Sequence, residues 1–161
     1  MLHGLPPVLS DTTRLLVLGS FPGRASLETQ RYYGHPQNHF WKILAAIWQL
    51  PLTDMPYEER TDTLKTHGLG LWDVYASCER EGSLDSAIRN AVPNDIAALH
   101  LPQLQAIAHN GGESFRHARH TQALGLPVHR LPSTSPANAS WSFERKLAAW
   151  REVFAQAGLL D

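Results

Sequence analysis

The sequence has one cysteine and no long apolar run. A single thiol, that of Cys78, excludes an internal disulfide, a four-cysteine zinc site and a cysteine-ligated iron–sulfur cluster, because each of these needs several cysteines. The apolar stretches, such as Leu15 to Leu18, are far shorter than the roughly 20 residues of a membrane span, and the beginning of the chain lacks a basic segment followed by an apolar one. We therefore expect a cytoplasmic protein without a membrane partner.

The sequence also lacks an excess of basic residues. Its formal net charge is -1, whereas many proteins that bind nucleic acids are strongly basic. A local patch can still bind a phosphate backbone, because the position of the charges matters more than their sum. Arg24, Arg31 and Lys42 surround the segment that is richest in motifs. The overall charge therefore argues mildly against a nucleic-acid partner without excluding one.

The apolar residues, 43% of 161, suffice for one compact domain that spans residues 1–161. Short aliphatic runs predict four buried strands, at 14–19, 69–75, 104–109 and 127–131. Apolar residues at helical spacing, with proline, serine or glycine near the ends, predict helices between Pro36 and Pro51, at 57–66, 83–90, 94–99 and 112–123, and from Ser140 to Gly158. Strands and helices therefore alternate along the chain.

This alternation predicts a three-layer α/β/α fold, with a four-stranded, mainly parallel sheet covered by helices on both faces. Ligands in such folds bind beyond the carboxyl ends of the strands. The loops that follow three of the predicted strands, at 19–38, 110–113 and 131–138, should therefore meet at one cleft.

The composition of these loops favours a flat, polar and uncharged ligand such as a nucleobase. The first loop contains GSFPG at 19–23 and YYGHPQNHFW at 32–41, and the last contains LPSTSPANASW at 131–141. Small residues allow the backbone to approach a ligand closely, aromatic rings can stack on a base, and neutral polar side chains can bind its edge.

Together with LWDV at 71–74, GSLDSAI at 82–88 and NG at 110–111, these segments resemble the uracil-DNA glycosylase superfamily. Within it, they are similar to the hypoxanthine-DNA glycosylase branch, often called family six. The resemblance extends from about Leu15 to Trp141. It implies an α/β domain with a four-stranded, mainly parallel sheet and a monomeric enzyme without cofactor. The implied reaction is hydrolysis of the bond between a deaminated base and its deoxyribose, in DNA.

The resemblance also implies a catalytic residue. Many relatives have an acidic residue or an asparagine immediately before the proline of the first loop, to hold the attacking water, but this chain has Phe21 there. In the hypoxanthine branch the catalytic amide belongs to the asparagine of the HPxNxFW segment, which corresponds to Asn38. Its carbonyl group can hold a water in line with the anomeric carbon. Alternatively, Asn38 only stabilises the start of a helix, where asparagine is common.

Two further departures from the uracil-specific relatives bear on the substrate. Leu131 replaces a histidine that stabilises the departing base, and Gly23 replaces a tyrosine that excludes bases larger than uracil. With Gly23 at that position, the pocket should admit more than uracil. Phe21, Tyr33 and Phe40 are the candidates to stack on the base, and core packing is the alternative for each of them.

The base pocket is predicted to comprise Gly19, Ser20, Phe21, Pro22, Gly23, Tyr33, His35, Phe40, Asp73 and Asn110. Asp73 and Asn110 are the candidates to supply the acceptor and the donor that the hypoxanthine edge needs. The residues predicted to grip the DNA strand are Ser133, Thr134, Ser135, Pro136 and Asn138. They could contact phosphates or the flipped base, or form an ordinary turn before a helix.

A metal and a Schiff base are not expected. His35 and His39 are four residues apart, but no third ligand is evident nearby. Of the three lysines, only Lys42 lies near the proposed catalytic loops, so we expect a glycosylase that does not also nick the strand. The tryptophans predicted to lie on helices are expected in the core: Trp41, Trp48, Trp141 and Trp150.

Three alternatives stay open from the sequence. The same fold could act mainly on uracil or xanthine, because a few pocket residues decide among these bases. The chain could instead be a catalytically silent module that binds damaged DNA, as the two missing side chains suggest. An unrelated hydrolase would be favoured only if Asn38 were buried away from any cleft.

Overall fold

A computed structural model describes residues 1–160 of the chain. Its strands are β1 (Leu2–His3), β2 (Leu15–Gly19), β3 (Leu69–Asp73), β4 (Tyr75–Glu79), β5 (Arg89–Pro93), β6 (Ala106–Asn110) and β7 (Val128–Leu131). Four of them form the central sheet in the order β3-β2-β6-β7, and all three pairs of neighbours are parallel. The four strands predicted from the sequence are the ones in this sheet.

Strand β2 lies in the middle of the sheet and is buried along its whole length. Leu15 pairs with Leu69 on one side and with Ala106 on the other. Successive side chains of a strand point to opposite faces, so Leu15 and Val17 enter one core, whereas Leu16 and Leu18 enter a second one. Two covered faces explain why β2 is a continuous apolar run.

The helices are α1 (Arg24–Thr29), α2 (Phe40–Trp48), α3 (Tyr57–Thr66), α4 (Gly112–Phe115), α5 (Ala118–Gln122) and α6 (Phe143–Gln156). Phe40 of α2 and Trp150 and Phe154 of α6 are fully buried against the first face of the sheet. The predicted fold class, a mainly parallel four-stranded sheet flanked by helices, is confirmed. Within residues 1–160, no helix has the length and apolar character that a membrane crossing needs.

The second face is covered in part by a small antiparallel sheet that the sequence patterns did not predict. Strands β1, β4 and β5 form it, with β4 in the middle. The helix predicted at 83–90 is wrong: only a 3-10 turn, Asp85–Ala87, precedes β5. The helix predicted at 94–99 is likewise reduced to the 3-10 turn Ile96–Ala98. The hydrogen bonds that β5 forms with β4 outweigh the weak helical preference of this polar segment.

The helix boundaries next to the cleft also differ from the prediction. Helix α2 begins at Phe40 rather than at Pro36, because the residues between them form a turn in which the Asn38 amide donates to the His35 carbonyl. Helix α6 begins after Ser142, whose hydroxyl oxygen accepts from the amide of Arg145 at 3.2 Å. Because α2 begins four residues later than predicted, Asn38 lies in the loop after β2 and not in the helix.

Candidate active site

A cavity of about 680 Å³ lies at the carboxyl edge of the central sheet, where the loops after its strands meet. Every residue predicted for the site lines this cavity except Phe40. The lining residues outside the predicted set are Arg24, Ala25, Ser26, Tyr32, Ser83, Leu84, Asp85, Ser86, Gly111, Gly112, Arg130, Leu131, Ala137 and Trp141. The fold therefore brings together segments that are more than a hundred residues apart in the sequence.

Phe40 does not contact the cavity, which corrects its prediction as a stacking residue. It is fully buried at the first turn of α2 and stacks on the inner side of Tyr33, with ring centroids 4.1 Å apart. A residue at the start of a packed helix faces the core, and Phe40 also contacts Trp150 there. Phe40 thus supports an aromatic wall whose exposed member is Tyr33.

Tyr33 is held in an unusual backbone conformation. Its φ of 54° lies in the left-handed region, which a bulky residue rarely adopts and which costs on the order of 1–3 kcal/mol. Two contacts compensate for this strain: the stack on Phe40 and a hydrogen bond at 3.2 Å that the Tyr33 hydroxyl oxygen accepts from Asn110. The half-buried ring is therefore fixed at the cavity wall before any ligand binds.

Asn38 lines the same cavity and is half-buried. Its Oδ1 accepts a hydrogen bond of 2.9 Å from the backbone amide of Phe40. A carbonyl oxygen has two lone pairs, so Oδ1 keeps one site with which to accept a hydrogen bond from water. The two interpretations of Asn38 are thus compatible, because the bond that stabilises the helix start also orients the amide.

Asp73, at the end of β3, places a buried carboxyl group in the cavity. The residue is 5% exposed, and its Oδ2 is the buried carboxylate oxygen that has no hydrogen-bond partner within residues 1–160. Burial raises the pKa of this carboxyl to about 7, with the negative charge of Asp85 adding to the rise and Arg80 opposing it. The pKa of Asp73 therefore lies near neutral pH, and one of its carboxyl oxygens has no partner within residues 1–160.

Gly19 makes room for this carboxyl group. A Cβ added at Gly19 would lie 2.5 Å from Asp73 Oδ1 and 3.4 Å from the Tyr33 hydroxyl oxygen. The first distance is far shorter than a van der Waals contact. The glycine at the end of β2 thus leaves the space that the Asp73 carboxyl group occupies.

We expect Gly19→Ala to destabilise the protein by about 1–3 kcal/mol, because the new methyl group must push Asp73 out of its place. Gly23→Ala is the matched control, since a Cβ there would meet only Ser83 at 3.5 Å and its stability should change by less than about 0.5 kcal/mol. Urea unfolding of both variants measures the difference. Equal stabilities would contradict the close packing of Gly19 against Asp73.

Asn110 binds the loops to one another and has no N–H group left for a base. Its Nδ2 donates to the Tyr33 hydroxyl at 3.2 Å and to the Thr134 hydroxyl at 3.0 Å, and its Oδ1 accepts from the Thr134 amide at 3.1 Å. An amide nitrogen has two hydrogens, and both are used. The prediction that Asn110 could be the donor to the base edge is therefore not supported by this geometry.

The loop after β7 is fixed by its own hydrogen bonds. The hydroxyl oxygens of Ser133 and Ser135 accept from the amides of Ser135 and Ala137, and Asn138 Nδ2 donates to the Ser133 carbonyl. Each serine keeps its hydroxyl proton for a ligand. Together with exposed Pro136, these residues form the wall opposite the loop after β2.

Thr134 has a different position from its neighbours, which corrects its prediction as a DNA contact. It is fully buried, and its hydroxyl and amide bind Asn110. Its carbonyl accepts from the amide of His39 at 2.9 Å. Thr134 therefore connects the last loop to the segment of Asn38 from inside the protein.

One wall of the cavity was not predicted as part of the site, although its sequence, GSLDSAI, contributes to the resemblance. Ser20 is 8% exposed and donates its hydroxyl proton to Asp85 Oδ1 at 2.6 Å. Ser83 accepts a hydrogen bond of 2.9 Å from the backbone amide of Arg24, next to Gly23. Both contacts connect the segment after β4 to the loop after β2.

Phe21 and Pro22 are held from behind by Arg80. The Arg80 guanidinium lies 5.3 Å from the centre of the Phe21 ring, and its Nη2 donates to the Pro22 carbonyl at 2.6 Å. Phe21 is 6% exposed and packs in the second core. Its ring therefore forms a fixed part of the cavity wall.

The histidines near the cavity have protein partners. His35 accepts at Nδ1 from the amide of Gln37 at 3.1 Å, and His39 Nδ1 lies 3.2 Å from the ammonium nitrogen of Lys146. Among residues 1–160, no group of three or more histidine, cysteine, aspartate or glutamate side chains is placed to hold a metal ion. Lys146 is a neighbour of the catalytic loops that no sequence motif pointed to.

Trp141 was predicted in the core but lies half-exposed at the cavity rim, just before α6. The guanidinium of Arg145 stacks over its ring at 4.2 Å. Arg24 and Arg130 also line the cavity, so positive charges stand at its margin despite the net charge of -1. Only the fold could reveal this arrangement, because these residues belong to different elements.

Comparisons with known proteins agree with the fold. The model of the uracil DNA glycosylase superfamily matches residues 6–155. Two proteins named hypoxanthine DNA glycosylase, from Methanosarcina acetivorans and Methanosarcina barkeri, are 39% and 36% identical to this chain. Each match covers 94% of this chain and 97% of the relative. A solution NMR structure of a candidate uracil DNA glycosylase from M. acetivorans is 37% identical, with a TM-score of 0.87, and the match covers 97% of this chain and 98% of that one.

Proposed function

The chain belongs to the uracil DNA glycosylase superfamily, and on that premise we propose that it removes hypoxanthine, the product of adenine deamination, from DNA. The observation on which the substrate assignment rests is the buried carboxyl group of Asp73, a residue that lines a cavity large enough for a purine and has one carboxyl oxygen without a hydrogen-bond partner within residues 1–160. The names of the two Methanosarcina relatives support the same substrate.

The proposed base recognition uses Asp73 in its protonated form. A neutral carboxyl group donates one hydrogen bond and accepts another, and hypoxanthine offers the acceptor O6 beside the donor N1–H. The pKa of about 7 allows this form at neutral pH. Asp73 then replaces Asn110 as the donor, since both N–H groups of Asn110 are used inside the protein.

The same proton would stabilise the departing base. Breaking the glycosidic bond leaves negative charge on the base, part of it on O6, and a donor aimed at that charge lowers the barrier. The uracil-specific members that the sequence resembles use a histidine of the last loop for this purpose, where this chain has Leu131. We infer that Asp73 compensates for that histidine from the opposite side of the cavity.

Asn38 is proposed to hold the attacking water. The cleavage passes through a sugar with positive charge on its anomeric carbon. A general base contributes little to such a reaction, because a positioned water suffices once the nucleobase departs. The Oδ1 of Asn38 keeps one lone pair for this water. Tyr33 and Phe21 would flank the extruded base, and Ser133 and Ser135 would contact its strand.

The proposal is tested with matched oligonucleotides that contain hypoxanthine, uracil, xanthine or no lesion, treated with alkali after incubation. We expect cleavage at hypoxanthine that persists in EDTA, because the proposed steps use only protein side chains, and intact strands before alkali, because a monofunctional glycosylase leaves an abasic site. Uracil also has a carbonyl acceptor beside an N–H donor, the pair that Asp73 is proposed to bind. A stronger reaction with uracil or xanthine would therefore change the proposed substrate but not the proposed mechanism. DNA bound without any abasic product would instead support a silent binding module.

A further inference from the structure

A second, smaller cavity of about 330 Å³ lies beside the first. Both are lined by Pro136, Asn138 and Trp141, so they adjoin along the segment 136–141, which leads from the loop after β7 to α6. Lys42 and Lys146 also line the second cavity, which therefore holds two of the three lysines in the chain. None of its lining residues is acidic.

Lys146 is the unusual member of this cavity. It is 1% exposed, although lysine is almost never fully buried without a paired charge. Its ammonium contacts His39 Nδ1 at 3.2 Å and, at the limit of hydrogen bonding, the Ser135 carbonyl at 3.5 Å. Neither of the two ion pairs in residues 1–160 includes Lys146. An ammonium with three protons thus has two neutral partners and no counter-charge.

The surroundings of Lys146 are consistent with an anion. Lys42 is exposed at the mouth of the cavity, and Arg145 stacks on Trp141 at its edge. Burial and both lysine charges lower the pKa of His39, which favours the neutral ring whose Nδ1 can accept a hydrogen bond from the Lys146 ammonium. Glu144, which opposes this effect on His39, does not line the cavity.

We propose that this cavity binds one backbone phosphate of the DNA strand, next to the nucleotide whose base enters the larger cavity. A strand that leaves the first cavity over Asn138 and Trp141 meets Lys42 and Lys146 next. A phosphate there would supply the counter-charge that Lys146 lacks and fix the register of the strand. The inference rests on the proposed function, because it takes DNA as the ligand.

The salt dependence of binding tests this assignment. Each phosphate contact contributes about 0.9 to the slope of log K against log salt concentration, because binding releases a counterion. We expect Lys42→Ala to lower that slope by about 0.9, so that the affinity ratio of wild type to variant shrinks roughly threefold between about 50 and about 200 mM NaCl. Lys65→Ala is the control, since Lys65 lies on α3 and lines neither cavity.

The probe is a fluorescent duplex with a 2′-fluoro analogue of deoxyinosine, whose glycosidic bond resists hydrolysis. Lys146→Gln should show the same loss of slope, and Lys146→Arg should restore it. Because Lys146 is buried, its variants are compared only if thermal melting shows them folded. If they are not folded, the salt slope of Lys42→Ala still tests the proposal, because Lys42 is exposed.

The phosphate itself is identified with the wild-type protein, by replacing the phosphates of the DNA one at a time with neutral methylphosphonates. Replacing one phosphate near the lesion should weaken binding by wild type more than binding by Lys42→Ala, in which only Lys146 is left to contact that phosphate. An unchanged salt slope in Lys42→Ala, or additive losses at every position, would overturn the phosphate site while leaving excision by wild type intact. Absence of both DNA binding and excision in wild type would refute the proposed function and this inference with it.

Discussion

Asn38→Ala should lose on the order of 100-fold or more in single-turnover excision of hypoxanthine. A catalytic water held out of line by about 1 Å already costs that much, and alanine has no acceptor for it. The variant should also lose about 1 kcal/mol of stability, because the hydrogen bond to the Phe40 amide disappears. In a protein of this size the stability loss corresponds to a fall of roughly 2–4 °C in Tm.

Asn38→Ser separates the two roles of the side chain. A serine hydroxyl can accept from the amide two residues further on, so it should restore the Tm, but it is too short to hold the same water. We therefore expect wild-type stability without activity. If Asn38→Ser excised hypoxanthine at the wild-type rate, Asn38 would be a helix-capping residue and the water would have another holder.

Asp73→Ala should lose on the order of 10- to 100-fold in kcat/KM for hypoxanthine, because the base edge then faces a cavity wall without a donor. Wild-type activity should fall as the pH rises above about 7, when the proton that Asp73 donates is lost. Asp73→Asn keeps a donor and an acceptor at every pH. Its kcat/KM should therefore show no decline around pH 7, although its maximum is lower because an amide is a weaker donor than a carboxylic acid.

The stability of the protein provides an independent readout of the same group. The folded-state pKa of Asp73 lies above its value in the unfolded chain, so the native state binds more protons between about pH 4 and pH 7. Its contribution to the free energy of unfolding is therefore present at low pH and is lost as the pH rises through this window. Asp73→Asn lacks the titration and should gain stability relative to wild type at pH 8. An identical pH dependence in both proteins would contradict the burial of an unpaired carboxyl group.

The central sheet could be predicted because a strand buried on both faces has a sequence unlike that of any exposed segment. The run from Leu15 to Gly19 is entirely apolar up to its glycine, and the neighbouring strands β3 and β6 begin with apolar residues and are buried along almost their whole length. Strand β5 could not be predicted in this way. Four of its five residues are exposed, one of them Asn90 with a φ of 52°, and the pairing with β4 that stabilises it is not encoded in its own pattern.

The sequence allowed us to predict those residues of the candidate site that lie in loops directly after strands. Parallel strands end at one edge, so Asn38, Asp73 and Ser133 could be placed together without coordinates. Side-chain direction was not accessible: Phe40 looked equivalent to Tyr33 until the start of α2 was known. The position of Lys146 beside His39 depends on how α6 packs, across 107 residues, and no local pattern predicts it.

The parallel order of the central sheet also determines when the protein first becomes competent during its synthesis. Leu15 must wait for Leu69 and then for Ala106 before it has both neighbours, and β7 joins last. The walls of the cavity follow these strands in the same order, so a nascent chain that ends before Asn138 has no enclosed pocket for a base. A chain truncated there lacks Asn138, Trp141 and α6, and with them part of the wall of both cavities.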